Sequence, residues 1–290
     1  MAEGDVTRRT AVGTALGTAL TGVLATSGAH AAAAPRRIVS LNPCLDTMLV
    51  HLADRAQIAA LSHYAREPSG STIAAIARTL PFTYETAEEV LALSPDLVLA
   101  SRHSGPATRA ALDRIGVPVV TFGVPDTVAE SQAQIVEMAR AIGQPARGAA
   151  LAARIEAALA QAAPPPQARP VRALVFQSRG MVAGAGTLID ELMRRTGFEN
   201  VAHRYGVANW GTAPLERLLA DPPEVLLCGE AAPGAPTWSQ RLLSHPALDR
   251  VGDRMHRATF PAACLYCAGP VLLKTAPLLA SARDAYLGAA

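Results

Sequence analysis

The sequence predicts an α/β protein of two similar lobes with mainly parallel sheets, joined by a long rigid connecting helix. Three observations predict it. Short apolar runs alternate with amphipathic helical stretches, the pattern of βα units. A motif in the first half recurs in the second: Phe82, Glu88, Pro95 and Asp96 answer to Trp210, Glu216, Pro223 and Glu224, at one offset, since 216 − 88 = 128 and 223 − 95 = 128. Between the copies lies an Ala-rich helical stretch with Leu151, Ile155 and Leu159 at i, i+4 and i+8, the stripe of a helix that covers a core.

Residues 1–31 read as an export signal set apart from the fold. Arg8-Arg9 precedes an uncharged run of Ala, Gly, Thr, Leu and Val that ends in Ala29-His30-Ala31, a small-x-small cleavage pattern. The paired arginines suit a twin-arginine route, and general secretion is the alternative. No cysteine follows the cleavage site, so a soluble periplasmic protein is expected. About 258 residues would remain, enough for one large or two modest domains.

In the first lobe (36–143), Ile38-Val39-Ser40-Leu41 reads as a strand and 44–52 as a helix. Ile58-Ala59-Ala60-Leu61 is a second strand. Residues 86–92 have helical spacing and stop at Ser94-Pro95. The run Asp96-Leu97-Val98-Leu99-Ala100, a helix over 106–115 closed by Gly116, and a strand over 117–122 follow. A helix is predicted over 128–142. The connecting helix and linker (144–166) place a helix over 146–163, about 27 Å long at 1.5 Å per residue, before Pro164-Pro165-Pro166. In the second lobe (167–290), 172–176 and 225–228 read as strands, and 187–196 and 215–220 as helices.

A net charge of +2, with no Lys/Arg cluster, excludes a nucleic-acid partner. Neither a phosphate loop, a strand-linked G-x-G-x-x-G nor a G-x-S-x-G elbow occurs. The chain therefore reads as a binding protein and not an enzyme, with no cofactor of its own. A chelatase-like enzyme and a ligand sensor on the same fold are the alternatives.

Taken together, Arg37-Ile38-Val39-Ser40-Leu41, the stretch Glu88-Glu89-Val90-Leu91-Ala92-Leu93-Ser94-Pro95-Asp96-Leu97-Val98-Leu99, its second copy at Leu215-Glu216-Arg217-Leu218-Leu219-Ala220 and the helical connector resemble periplasmic binding proteins of the ferric-siderophore and cobalamin import class. The resemblance implies a monomer that delivers a small-molecule metal chelate to an ABC permease in the inner membrane. It also implies that Glu88 and Glu216, one per lobe, dock on permease arginines, since carboxylate–arginine pairs set register. A corrinoid or ferric siderophore is the first expectation for the ligand; haem or a bare transition-metal ion is the alternative.

Ligands of open parallel sheets bind beyond the carboxyl ends of the strands. Those ends carry Tyr64, Phe82, Tyr84, Arg102 and His103 in the first lobe and Arg179, Trp210 and Tyr266 in the second. Aromatic faces suit a large flat ligand, and by resemblance Phe82 and Trp210 match positions that face a corrin. The arginines could meet phosphate, carboxylate or catecholate oxygens. His63 and His103 could join Cys44, Glu230 or Cys264-x2-Cys267 around a metal ion. Cys44 and Cys267 fall on loops of opposite lobes; a bond between them needs Cα atoms within ~7 Å and would clamp the cleft, so it is not expected in an open state. A Cys264–Cys267 disulfide, or free thiols lining the cleft, remain open.

Overall fold

In a computed structural model, residues 33–229, 241 and 245–289 are described. The export signal and Glu230 lie outside them. The first sheet contains β1 (Ile38–Ser40), β2 (Ile58–Ser62), β3 (Phe82–Thr83), β4 (Leu97–Ser101) and β5 (Val119–Phe122), all parallel, in the order β3-β2-β1-β4-β5. Its helices are α1 (Pro43–Leu52), α2 (Ala74–Ala77), α3 (Ala87–Ala92) and α4 (Pro106–Ile115). Asn42 caps α1 through its side chain and Thr86 caps α3. Gly116, at φ +79°, ends α4 in the left-handed conformation that glycine adopts freely.

Two long helices follow, α5 (Val128–Ala141) and α6 (Pro145–Ala162). The second sheet holds β6 (Val171–Phe176), β7 (Met181–Ala183), β8 (Phe198–Asn200), β9 (Trp210–Thr212), β10 (Val225–Cys228) and β11 (His256–Thr259). Helices α7 (Leu188–Arg195), α8 (Leu215–Ala220) and α9 (Leu272–Ala289) complete the described chain.

The repeat is real in three dimensions. β3, α3 and β4 correspond to β9, α8 and β10, and β1 and β6 each lie between their equivalents in the strand order. One difference is local. The place of β2 is shared by β8, parallel to the start of β6, and β7, antiparallel to its end. β9 pairs antiparallel with β7, so the second sheet is mixed where the first is parallel.

The acidic residue of the repeated motif is a structural latch. Asp96 accepts hydrogen bonds from the Arg36 and Arg37 amides at 2.7 and 2.8 Å, and Glu224 accepts one from the Arg172 amide at 2.9 Å. Each ties the start of its lobe's central strand to the strand beside it. The Arg169 guanidinium, helped by Arg172 and the Tyr286 hydroxyl, holds the Glu224 carboxyl down at about 2.

Alternation along the strands sorts the core into layers. Val39, Val98 and Leu112 pack on the outer face of the first sheet, and Leu174, Phe176, Leu226 and Leu218 on the outer face of the second. The inward-facing residues Ile38, Leu97, Leu99, Ala173, Val175, Val225 and Leu227 join one continuous core with Ile135, Leu151, Ile155, Leu159, Leu272 and Leu279. That is why the described residues from Ala34 onward form one compact unit. The expected connecting helix is α6, and it lies in a layer, packed against both α5 and α9. Gly148 of α6 lies so close to Ala139 of α5 that a Cβ there would collide with the alanine methyl. Buried Arg283 of α9 donates to the carbonyls of Ala162 and Thr196 at 3.0 and 2.7 Å, closing the ends of α6 and α7.

Candidate functional site

The carboxyl ends of both sheets open on a shared cleft of about 450 Å³. Pro68, Ser69 and Gly70 of the first lobe face Gln177, Ser178, Gly229 and Thr259 of the second, with Tyr266 on the wall. A cavity of about 700 Å³ opens at the opposite, amino end of β1, lined by Arg36, Arg37, Asp54 and Asp96. Its arginine backbone and carboxylate groups already serve the strand latch, so the strand ends remain the candidate site.

Near the strand ends of the first lobe, outside the lining of the shared cleft, stands an aromatic cluster. Tyr64, Phe82 and Tyr84 are 52, 38 and 61 % exposed, although large apolar rings are usually covered. They form one cluster through His63. The His63 ring lies 3.8 Å from Tyr64 and 4.9 Å from Tyr84, and Tyr84 meets Phe82 edge-on at 5.5 Å. Arg66 sits over the Phe82 ring at 4.4 Å, a cation–π contact. The local sequence builds this platform. His63–Arg66 is a 3-10 turn off the end of β2, and the carboxylate of Glu89 accepts from Thr83 Oγ1 and the Tyr84 amide at 2.8 and 2.6 Å. Glu89 thereby fixes the Phe82–Tyr84 corner.

Near this cluster are two acidic residues that the sequence does not single out. Asp46, in the first turn of α1, is fully buried and accepts from the Ser62 amide and hydroxyl. Burial pushes its carboxyl up to about 8, against the opposing pull of hydrogen bonds from Ser40 and Ser62. Glu85, held at φ +69°, is raised to about 7 by burial. Its Oε1, and Nδ1 of His63, are buried without a hydrogen-bond partner among the described residues. Nothing local marks Glu85 or Asp46, and the environment of Asp46 is set by a strand 16 residues away.

Of the other predicted residues, Trp210 is 46 % exposed on the edge strand β9, at the position equivalent to Phe82, and Tyr266 is 49 % exposed on the cleft wall. Arg102 is exposed just beyond β4, and His103 lines a small pocket beside Cys44 and Tyr266. Arg179 is exposed on the turn between β6 and β7 at φ +62°, a conformation that costs a non-glycine residue about 1 kcal/mol. Glu88 and Glu216 each occupy the second position of their helix, α3 and α8. Both are exposed and without an ion-pair or hydrogen-bond partner among the described residues.

The cysteines correct an expectation. Cys44 and Cys267 are joined in a disulfide, with Cα atoms 5.1 Å apart, inside the usual range. The two loops, expected to stand apart across an open cleft, are in contact. Residues 267–271 instead lead into α9 and cross back to the first lobe: the Gly269 amide donates to Ser131 Oγ at 2.9 Å, and Gly269 packs on Met48. The bond therefore joins the lobes where they already meet, and does not clamp an open mouth. It rules out the Cys264–Cys267 pairing, since Cys264 is a buried thiol, and removes Cys44 and Cys267 as free metal ligands. No group of three His, Cys, Asp or Glu residues that could hold a metal ion occurs among the described residues.

The match to known proteins follows this architecture. Residues 38–252 match the periplasmic binding protein family model, and the chain belongs to that family. A cobalamin-binding protein of Halobacterium salinarum is 26 % identical over 203 residues, covering 68 % of this chain and 55 % of the relative. The chain thus spans about half the length of the curated relatives it matches. The apo structure of the periplasmic heme-binding protein RhuT from Roseiflexus sp. RS-1 superposes with a TM-score of 0.65 at 25 % identity, over 85 % of this chain and 98 % of that one. The periplasmic vitamin B12 binding protein BtuF of Vibrio cholerae gives a TM-score of 0.63 at 20 % identity, over 87 % and 98 %, a likeness of fold.

Proposed function

We propose that this chain is the exported solute-binding component of an ABC importer, which captures a metal chelate with a broad flat macrocycle between its lobes and presents it to a membrane permease. The carrying observation is the set of exposed rings around the strand ends: Tyr64, Phe82 and Tyr84 on one lobe, Trp210 and Tyr266 on the other. Rings left in water gain most by covering a flat apolar face. A corrinoid is the first reading, supported by the cobalamin-binding relative. Haem is the second, supported by the heme-binding structure at 25 % identity. Arg102 and Arg179 would meet acidic groups at the ligand's edge. Glu88 and Glu216, one on each lobe, would engage arginines of the permease, and the layer of α5, α6 and α9 would hold their spacing.

Protein purified from the periplasm tests this directly through its absorption spectrum, followed by titration with cyanocobalamin and with haemin. A bound chromophore, or micromolar binding of either ligand, supports the reading. A colourless protein that binds neither sinks the macrocycle reading.

A further inference from the structure

Beside the main cleft, with Tyr266 as the shared wall, lies a second pocket of about 60 Å³ that the functional reading does not use. It sits beyond the carboxyl ends of β1, β4 and β5, at the β1/β4 boundary where the strand order reverses direction. Crevices at such switch points are where open α/β sheets take ligands. A water needs about 10–15 Å³ of such space, so the pocket has room for about four to six small heavy atoms. That is the size of one substituent on a macrocycle's rim.

Its polar groups define what that substituent can be. Asn42 is occupied: Oδ1 accepts from the amides of Cys44 and Leu45, and Nδ2 donates to Ser101 Oγ at 3.4 Å. Ser101, only 5 % exposed, also accepts from the His103 amide at 3.0 Å. With two donors already on its oxygen, its own hydroxyl proton has no acceptor among the described residues. Gln134 donates its amide to the Gly123 carbonyl at 3.0 Å, leaving Oε1 without a partner there. The His103 ring also borders the space, and the remaining wall is apolar, from Leu45, Met48 and Val124. No arginine or lysine lines the pocket among the described residues.

From this we infer that the pocket is a subsite for a neutral carboxamide arm of the ligand. Ser101 donates to the arm's carbonyl, and Gln134 Oε1 accepts from its NH2. A carboxylate arm would surrender its hydration to a mainly apolar wall with no cationic side chain to replace it. The inference rests on the macrocycle reading and sharpens it, because a corrinoid rim carries short carboxamide arms whereas a haem rim carries carboxylates.

The test compares cyanocobalamin with its separated monocarboxylic acids, each having one peripheral carboxamide hydrolysed, by titration against the full exported protein at pH 8. At least one isomer should bind about tenfold more weakly than the parent, the loss expected for a hydrogen-bonded group left unmatched. Ser101→Ala and the half-exposed Gln134→Leu should each weaken the parent by about five- to tenfold and narrow the gap to that isomer. Gln134→Arg, which supplies a cation, should reverse the preference. Unchanged thermal melting would show that each variant is folded. Equal affinity of wild type for all isomers, with parent affinity kept in Gln134→Leu, overturns the subsite while leaving the macrocycle reading standing. Failure of wild type to bind cyanocobalamin at micromolar concentration overturns the corrinoid reading and the subsite together.

Discussion

Replacing Cys44 and Cys267 together by serine removes a cross-link between residues 223 positions apart. The cross-link acts chiefly on the unfolded chain, whose freedom it restricts. For a loop of this length the chain-entropy relation gives about 5 kcal/mol at 25 °C, an upper figure because unfolded chains keep some structure. In a chain of this size 1 kcal/mol corresponds to about 2–4 °C in melting temperature, so the double variant should melt about 10 °C lower. The contacts around the bond, Gly269 to Ser131 and Gly269 on Met48, do not depend on it. The folded variant should therefore keep its circular dichroism. Thiol titration in denaturant supplies the control. Two of the four cysteines should react before reduction in wild type and all four after it. Four reactive thiols before reduction would show that the bond is not formed, and a double variant that melts within about 2 °C of wild type would show that it adds little stability.

Further expectations follow from the same geometry. The double variant Glu88→Arg/Glu216→Arg should abolish uptake of the ligand in cells while the purified protein binds it as before; lost ligand affinity would count against docking as the role of these carboxylates. Trp210→Ala should weaken cyanocobalamin binding by about tenfold, as loss of one stacking face predicts, read by fluorescence or absorbance titration; unchanged affinity would place Trp210 outside the site. Asp46 carries a proton in the folded chain up to about pH 8 that the unfolded chain, near 3.8, has released. Stability from this group is therefore greatest below about pH 4 and declines as pH rises toward 8. Asp46→Asn should flatten that decline in urea midpoints taken at pH 5, 7 and 9, and parallel curves for the two proteins would argue against a protonated Asp46. Arg283→Met, which strands the Ala162 and Thr196 carbonyls in the core, should lower stability by about 3 kcal/mol in urea unfolding; a change below about 1 kcal/mol would show that water replaces the guanidinium.

Much of the fold was legible in the chain because it rests on local patterns. Periodicity and terminators located α4, α5, α6 and α8 to within a residue or two, since Gly116 and the Pro164–Pro166 run stop helices wherever they fall. The constant offset between Glu88 and Glu216 exposed the duplication, because two copies of one βα unit need the same residues at the same turns. Elements set by their partners were not legible. β3, β7, β8 and β9 are two or three residues long and exist only through pairing. Helix α9 escaped notice, with Pro277 inside it and apolar residues on both its buried and its exposed sides. Without α9, nothing in the chain shows that residues 267–271 turn back to the first lobe, where Cys267 meets Cys44.

The candidate site divides in the same way. By itself the sequence determined two lobes, a carboxylate at the head of each motif helix and an aromatic six residues before it. Those are spacings along the chain, and spacings survive without a fold. Only the packed chain brought Tyr64, His63, Phe82 and Tyr84 into one cluster, buried Asp46 and took one Glu85 carboxylate oxygen out of solvent. It alone decided that Asp96 and Glu224 are latches while Glu88 and Glu216 have no partner among the described residues. Burial and pairing belong to the packed chain, because neighbours distant in sequence set the water and the charge around each group.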